Sequence, residues 1–489
     1  MQRFFVFQNL ENRELFIIFA FNEFDVYYAL KIAYSSMQRA TTMVNGRAWY
    51  NTRLAEMYSP EDKTKYYGAA SYDAITAAIA NQSHKPGTIY YGDAHHFIDP
   101  AFKLGFTYKI NGRNRIKFNA IAQTEAPLAR DAYISSRVHD RVLGSIYTHD
   151  NAKSLTEYYA ASQKIIGGDL TYEFNFTPVR GRITAYYTQF FNGSEMNGYY
   201  DDQARTFVNQ TLSGINRVHR GIEAAAAVKL GTMFTLTGAV NASDNRYTSN
   251  AIAVTSAENG MSFGTKSDGS PMLAYVDSVY MNGLHVANGP QLTASLKLSF
   301  FHSKMWFADI TCTYYDRNFL DIAPSRRMMG LYTGTRADGT IVNGSYRTVS
   351  SGKNDQSTIN AVILDEAGEM VLDKFGTPQL QYPYNLMTAQ ESLVSTNVWN
   401  RFIFDLSVGK LIYLPNRQQL SINLSVSNFT NNTKLKTGGY QQARLARGNV
   451  QGKTESDGNS VIMPNAWKFP SKYYYAWGTN FYLSLTYKF

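Results

Sequence analysis

The side chains best suited to chemistry fall in polar stretches of a 489-residue chain. Ser135, Ser136 and Ser145 share one such stretch with His139, His149, Asp140 and Asp150, the residue types of a hydrolytic triad. Nothing in their spacing activates a nucleophile, and polar loops supply these residues by chance, so no enzyme is expected. His95 and His96 with Asp93 and Asp99 are ligand types for a metal ion. Neighbours on an extended segment point to opposite faces, so neither a metal site nor a cofactor is expected. Tyrosine pairs at Tyr66 and Tyr67, Tyr90 and Tyr91, Tyr158 and Tyr159, and Tyr199 and Tyr200 offer ring faces for stacking on sugars or on an aromatic chelator. Lys103, Lys117, Glu173, Glu223, Lys297, Asp309 and Asp405 carry both signs, which gives no preference for anions or cations.

The elements that must position these groups are strands. Phe481, Leu483, Leu485, Tyr487 and Phe489 alternate with Asn480, Tyr482, Ser484, Thr486 and Lys488, the period of a strand with one apolar and one polar face. The same alternation runs through residues 102–108, 116–122, 168–176, 183–187, 222–230, 234–240, 292–300, 305–315, 402–408 and 420–427. With residues 14–21 and 26–36 the count reaches about thirteen, each near the 9 to 11 residues that cross a bilayer at a tilt. No segment carries a helical apolar stripe.

The connections alternate in length. Short turns are expected at 21–24, 110–114, 177–181, 231–232, 301–303 and 415–417, where Asn-Gly, Pro and Gly are the turn formers. Between them lie long polar stretches at 41–96, 125–162, 191–210, 249–282, 319–396 and 431–471. Long loops on one side and tight turns on the other are the layout of an antiparallel transmembrane barrel.

Composition narrows the classes further. The longest apolar run, residues 15–21, is far short of the ~20 residues of a spanning helix. A single cysteine rules out a disulfide scaffold. The net charge of +9 is scattered rather than gathered into a basic arm, so nucleic acid is not an expected partner. Rows of Leu and Phe facing outward would aggregate in water unless covered. Lipid covers them, the polar face then borders a wet interior, and closure satisfies every backbone N–H and C=O. Cys312 is in phase with Ile310 and Tyr314 and is expected on the lipid side. Aromatics at strand ends, including Tyr473, Tyr474, Tyr475 and Trp477, suit interfacial girdles, a role that competes with ligand stacking for the tyrosine pairs.

Four stretches carry a likeness. They are residues 213–223 (SGINRVHRGIE), residues 283–290 (GLHVANGP) leading to Tyr314-Tyr315-Asp316-Arg317, residues 426–432 (VSNFTNN) with 437–444 (TGGYQQAR), and residues 469–475 (FPSKYYY) running to Phe489. Together with Arg39, residues 45–48 and residues 108–114, the chain resembles the C-terminal part of a TonB-dependent outer-membrane receptor of the Bacteroidetes type. The likeness covers nearly the whole sequence. It implies an all-β fold, the last thirteen or so strands of a barrel of about 22, with short periplasmic turns and long extracellular loops. Such receptors also have a signal peptide, a TonB-contacting segment and a plug domain. None is recognised in residues 1–489, which read as one partial barrel domain.

The resemblance further implies a place in the outer membrane of a Gram-negative cell and uptake of a siderophore, cobalamin or an oligosaccharide. The implied partners are lipid, the TonB complex through the part not recognised here, and a surface lipoprotein lid. It casts Phe481, Leu483, Leu485, Tyr487 and Phe489 as the signal read by the barrel assembly machinery. Two other readings fit the strand pattern: a passive porin-like channel, and a surface adhesion barrel whose loops at 41–96 and 319–396 hold external ligands.

Overall fold

The computed structural model describes residues 5–20, 22–44, 47–48, 89–91, 95–128, 162–201, 206–257, 274–287, 289–328, 333–336, 341–345, 390–444, 448–454, 460–465 and 470–489. Alternation becomes strand wherever the sequence shows it. The strands are β1 (Phe5–Ala20), β2 (Phe24–Val44), β3 (His95–Asn111), β4 (Asn114–Glu125) and β5 (Gln163–Phe176). They continue with β6 (Val179–Asp201), β7 (Thr206–Leu230), β8 (Phe234–Tyr247) and β9 (Leu292–His302). The last four are β10 (Trp306–Asp316), β11 (Phe402–Tyr413), β12 (Gln419–Ser427) and β13 (Asn480–Lys488).

Each strand pairs antiparallel with the one before it, so the thirteen form a simple meander. Four shorter strands complete the 17-stranded sheet. Two of them, Ala251–Ala257 and Ala274–Val279, prolong β8 and β9 beside the far end of β7. Among the described residues no pairing joins β1 to β13. The two edge strands run in the same direction, so a direct closure between them would be parallel.

Register makes the two faces continuous. On one, Phe106 meets Phe118, Phe118 meets Leu170, and Leu170 meets Ala185. Further along, Leu236 meets Leu298, Leu298 meets Ile310, Ile310 meets Leu406, and Leu424 meets Leu483. Cys312 takes its expected place there, between Leu296 and Phe404. These rows stay uncovered: Leu170 and Leu296 are each 53% exposed. The opposite face carries Lys, Asp, Glu, Ser, Thr and Asn.

The short connections between β1 and β2, β3 and β4, β5 and β6, β7 and β8, β9 and β10, and β11 and β12 all lie at one end of the sheet. The buried side chains gather at the other end, among them Val208, Leu212, Ala253, Val254, Val279, Leu284, Leu320 and Met328, where Leu212 pairs with Ala253 and Val279 bridges to Met328. We call this packed region the outer cap.

Two expectations are corrected. Residues 191–210 are not a long loop: β6 and β7, of 23 and 25 residues, run through them, separated only by residues 202–205. Pairing with each other and with Ala251–Ala257 holds this extension in place, and Tyr199 is buried within it. Nor do all strands stop at 9 to 11 residues. Those that reach into the outer cap continue past the apolar rows, because the cap gives their side chains something else to pack on.

Candidate functional site

The sheet's alternation puts all seven candidate charges on the polar face. Glu173 is gripped by Lys117, whose Nζ lies 2.6 Å from it, and by Arg115. Lys297 Nζ lies 3.2 Å from Asp309, Lys109 pairs with Asp25 at 2.8 Å, and the Asp405 carboxylate accepts the Asn428 backbone N–H at 2.8 Å. Glu223 sits between Thr184 and Asn241 in register, and Lys103 is exposed beside Ala29 and Ile121. Tyr27 donates to Asn119, which donates to Asp169, so neutral groups link the charged ones. Around these seven residues charges of both signs and neutral polar groups are interleaved, with no excess of one sign.

Where the polar face meets the outer cap, a cavity of about 420 Å³ opens between β10, β11 and the segments around Asn428 and Trp477. Tyr315, Ile403 and Asp405, from β10 and β11, form one side, and Arg401, Lys436 and Trp477 the other. The walls are tied down. Arg401 donates to Asp316 at 3.0 Å, to the Tyr314 hydroxyl at 3.2 Å and to the Ser395 carbonyl at 2.8 Å. Lys436 lies 4.0 Å above the Tyr473 ring and 3.6 Å from Glu391, and the Tyr473 hydroxyl donates to that carboxylate. Asn428, in the left-handed region with φ 48°, donates to the carbonyls of Asn432 and Trp477 and accepts the Asn432 N–H. A mostly apolar recess with fixed polar groups and a Trp477 ring that is 85% exposed suits a flat small molecule.

Beside the cap, His285 lies flat on Phe319, rings 3.7 Å apart and 5° from parallel. Its Nδ1 is 3.1 Å from the Gln291 side-chain oxygen and 3.9 Å from Asp244. Burial pushes the imidazole's pKa down, the Arg246 cation lowers it further, and Gln291 and Asp244 oppose this only in part. The folded chain therefore binds this proton less readily than the unfolded chain. It follows that His285 makes the cap less stable as pH falls through the ordinary histidine value of about 6.5. Half-buried Asp321 acts in the opposite sense, because its partial burial raises its carboxyl above the usual value and protonation favours the fold. Thermal unfolding at pH 7.5 and 5.5 separates the two: His285→Phe is expected to lose less stability on acidification than the wild type.

Tyr199 and Tyr200 belong to β6 rather than to a loop; Tyr200 meets Phe207 edge-on at 5.5 Å and lies under Arg444 at 5.3 Å. Tyr90 and Tyr91 are on a short strand beside β2. Tyr66, Tyr67, Tyr158 and Tyr159 lie outside the described residues, as do the Ser, His and Asp residues of 135–150. His96 Nδ1 is 2.7 Å from the Tyr34 hydroxyl. On β13, Phe481, Leu483, Leu485 and Tyr487 face the apolar side opposite Val426, Leu424, Ile422 and Leu420, and Phe489 follows at the free end. The residues missed from sequence are amide hubs. Gln390 accepts the His285 N–H and donates to the carbonyls of His285 and Leu320, and Gln291 bridges Asn245 and Val286. Only Asn428, in the turn-like run 427–432, carried a local signal.

No protein-family model matches the chain, and no curated protein matches it. Solved structures to which it is similar include the ferric-catecholate import receptor Fiu of E. coli K12, with a TM-score of 0.43 and 10% identity over 99% of this chain and 45% of that one. The copper transporter OprC gives 0.43 and 9% over 99% and 48%. The siderophore receptor PiuA from Acinetobacter baumannii gives 0.41 and 9% over 97% and 44%. The chain thus spans about half the length of the solved structures it matches.

Proposed function

We propose that the chain is part of the wall of a TonB-dependent receptor in the outer membrane of a Gram-negative cell, which admits a scarce small-molecule nutrient. The observation that carries this reading is the exposed apolar face, continuous in register across the wall and backed by a polar face. In water such a surface would drive association; in a bilayer it is the surface a spanning sheet requires. The end with short turns then faces the periplasm, and the outer cap and its 420 Å³ cavity face the medium, where a ligand arrives first. A siderophore, cobalamin or an oligosaccharide is the substrate class, and the exposed Trp477 supports a ligand with a flat face. β13, with its apolar row and open edge, is the element that the barrel assembly machinery would engage; the TonB complex and a surface lipoprotein are further partners of this reading.

Deleting the gene is expected to abolish uptake of one labelled nutrient among those three, and a protonophore is expected to stop that uptake in the parent strain. Uptake that survives the protonophore would identify a passive channel instead. Unchanged uptake with lost surface adhesion would identify an adhesion barrel.

A further inference from the structure

At the short-turn end, the polar face holds a recess of about 900 Å³ that the outer-cap site does not explain. Its charged lining is unbalanced: Lys109, Arg113, Arg115, Arg180 and Arg182 against Glu23 and Glu173, a net of +3. The imbalance is concentrated in three side chains. Glu173 stands opposite Arg182 in register, but its carboxylate is engaged by Arg115 and Lys117 from the other side. Among the described residues no carboxylate lies within ion-pair distance of Arg113, Arg180 or Arg182, and all three are exposed.

The neighbouring strand leaves room beside them. Arg180 is opposite Ala227 and Arg182 is opposite Ala225, so the arginines border a floor of small side chains that continues to Thr237. Arg180 and Arg182 are two residues apart on one face of β6, about 7 Å along the strand, while Arg113 comes from the β3–β4 turn. Asn175, the register partner of Arg180, donates its N–H to the Arg113 carbonyl, which fixes the turn against the strands. Three guanidinium groups around a recess of this size can each present paired N–H donors to an oxyanion. A monovalent anion would leave most of that capacity unused.

We propose that this recess is a binding site for a small polyvalent oxyanion, a molecule carrying two or more phosphate or carboxylate groups, with Arg113, Arg180 and Arg182 as its ligands. The site holds whether passage through the wall is energised or passive. An acidic protein segment is the other occupant its charge would accept. The recess favours the small ligand, since its volume lies in the range of small-molecule pockets and Ala225, Ala226 and Ala227 line it.

The test is calorimetric titration of the full chain in detergent micelles with pyrophosphate, with citrate, and with a glutamate-rich peptide, at low and high salt. Pyrophosphate is expected to bind, more weakly as salt rises. The Arg180→Gln/Arg182→Gln variant should weaken it at least about tenfold, equivalent to about 1.4 kcal/mol. Lys304→Gln, which removes a cation at the same end of the sheet but in the β9–β10 turn, should leave it unchanged. No binding of pyrophosphate or citrate by the wild type, equal loss in both variants, or binding of the peptide alone would each overturn the proposal. Because the readout is equilibrium binding without transport, its failure leaves the uptake reading intact, and the reverse also holds.

Discussion

Leu170→Arg is expected to cost about 2–4 kcal/mol when the chain is folded into lipid vesicles, the cost of placing a guanidinium near the bilayer midplane. Leu170 lies in the middle of the β5 apolar row, flanked by Phe118 and Ala185, with 53% of its surface exposed. For a surface residue of a water-soluble sheet, the same change would fall within about 0.5 kcal/mol, because the new side chain would simply extend into solvent. The reverse substitution on the polar face, Lys103→Leu, should stay within that narrow band in either setting. Urea unfolding from vesicles, monitored by tryptophan fluorescence, measures both. A Leu170→Arg loss no larger than that of Lys103→Leu would remove lipid from the account.

The same alternation explains why so much of the wall could be read in advance. A period of two leaves no freedom: once Leu296 is known to face the apolar side, Lys297 must face the other, and each pairing passes that assignment to the next strand. Residues 191–210 escaped because Asn, Gly, Ser and Tyr in this segment give no two-residue apolar rhythm. What makes them strand is pairing rather than rhythm, of Tyr199 with Val208 and, across the sheet, of Gln210 with Thr255. The outer cavity was equally hidden. Its walls depend on bonds such as that from Asn318 Nδ2 to the Lys436 carbonyl, between residues 118 positions apart, and on amides whose partners no spacing announces. Charge pairing was legible only as a balance of signs. That Glu173 is engaged from the β4 side, leaving Arg182 without a partner among the described residues, follows from register and could not be counted from composition.

A second large effect is expected where an aromatic ring lies over a glycine on the polar face. A Cβ built on Gly105 would come within 1.9 Å of the Tyr27 ring, and all three of its nearest contacts belong to that ring. Gly105 and Tyr27 are register partners on β3 and β2, and the Tyr27 hydroxyl continues to Asn119 on β4 at 3.0 Å. Gly105→Ala must therefore expel the ring and break that bond, an overpacking cost of about 1–3 kcal/mol. In a Tyr27→Ser background the obstacle is gone, and the same alanine should be nearly neutral. A double-mutant cycle is expected to show this coupling with about the same magnitude as the single cost. Additive single losses would mean that the ring does not occupy the glycine's space. Gly409 provides the contrast: its Cβ would meet the Phe307 ring at 2.2 Å but also the Ile422 carbonyl at 2.7 Å, so trimming Phe307 should rescue Gly409→Ala only in part.

In the proposed wall lipid touches one side of the sheet and water the other, and β5 offers the most direct measurement. In a Cys312→Ser background, an environment-sensitive fluorophore is attached to single cysteines at Ile166, Leu170 and Tyr172, and then at Asp169, Thr171 and Glu173. Quenching by brominated lipid and by aqueous iodide is compared for each. Lipid quenching at the first set and iodide quenching at the second, alternating residue by residue, is the predicted result. Equal quenching by iodide at both sets, or protection of the first set from both quenchers, would place water or protein where hydrocarbon is required and would contradict it.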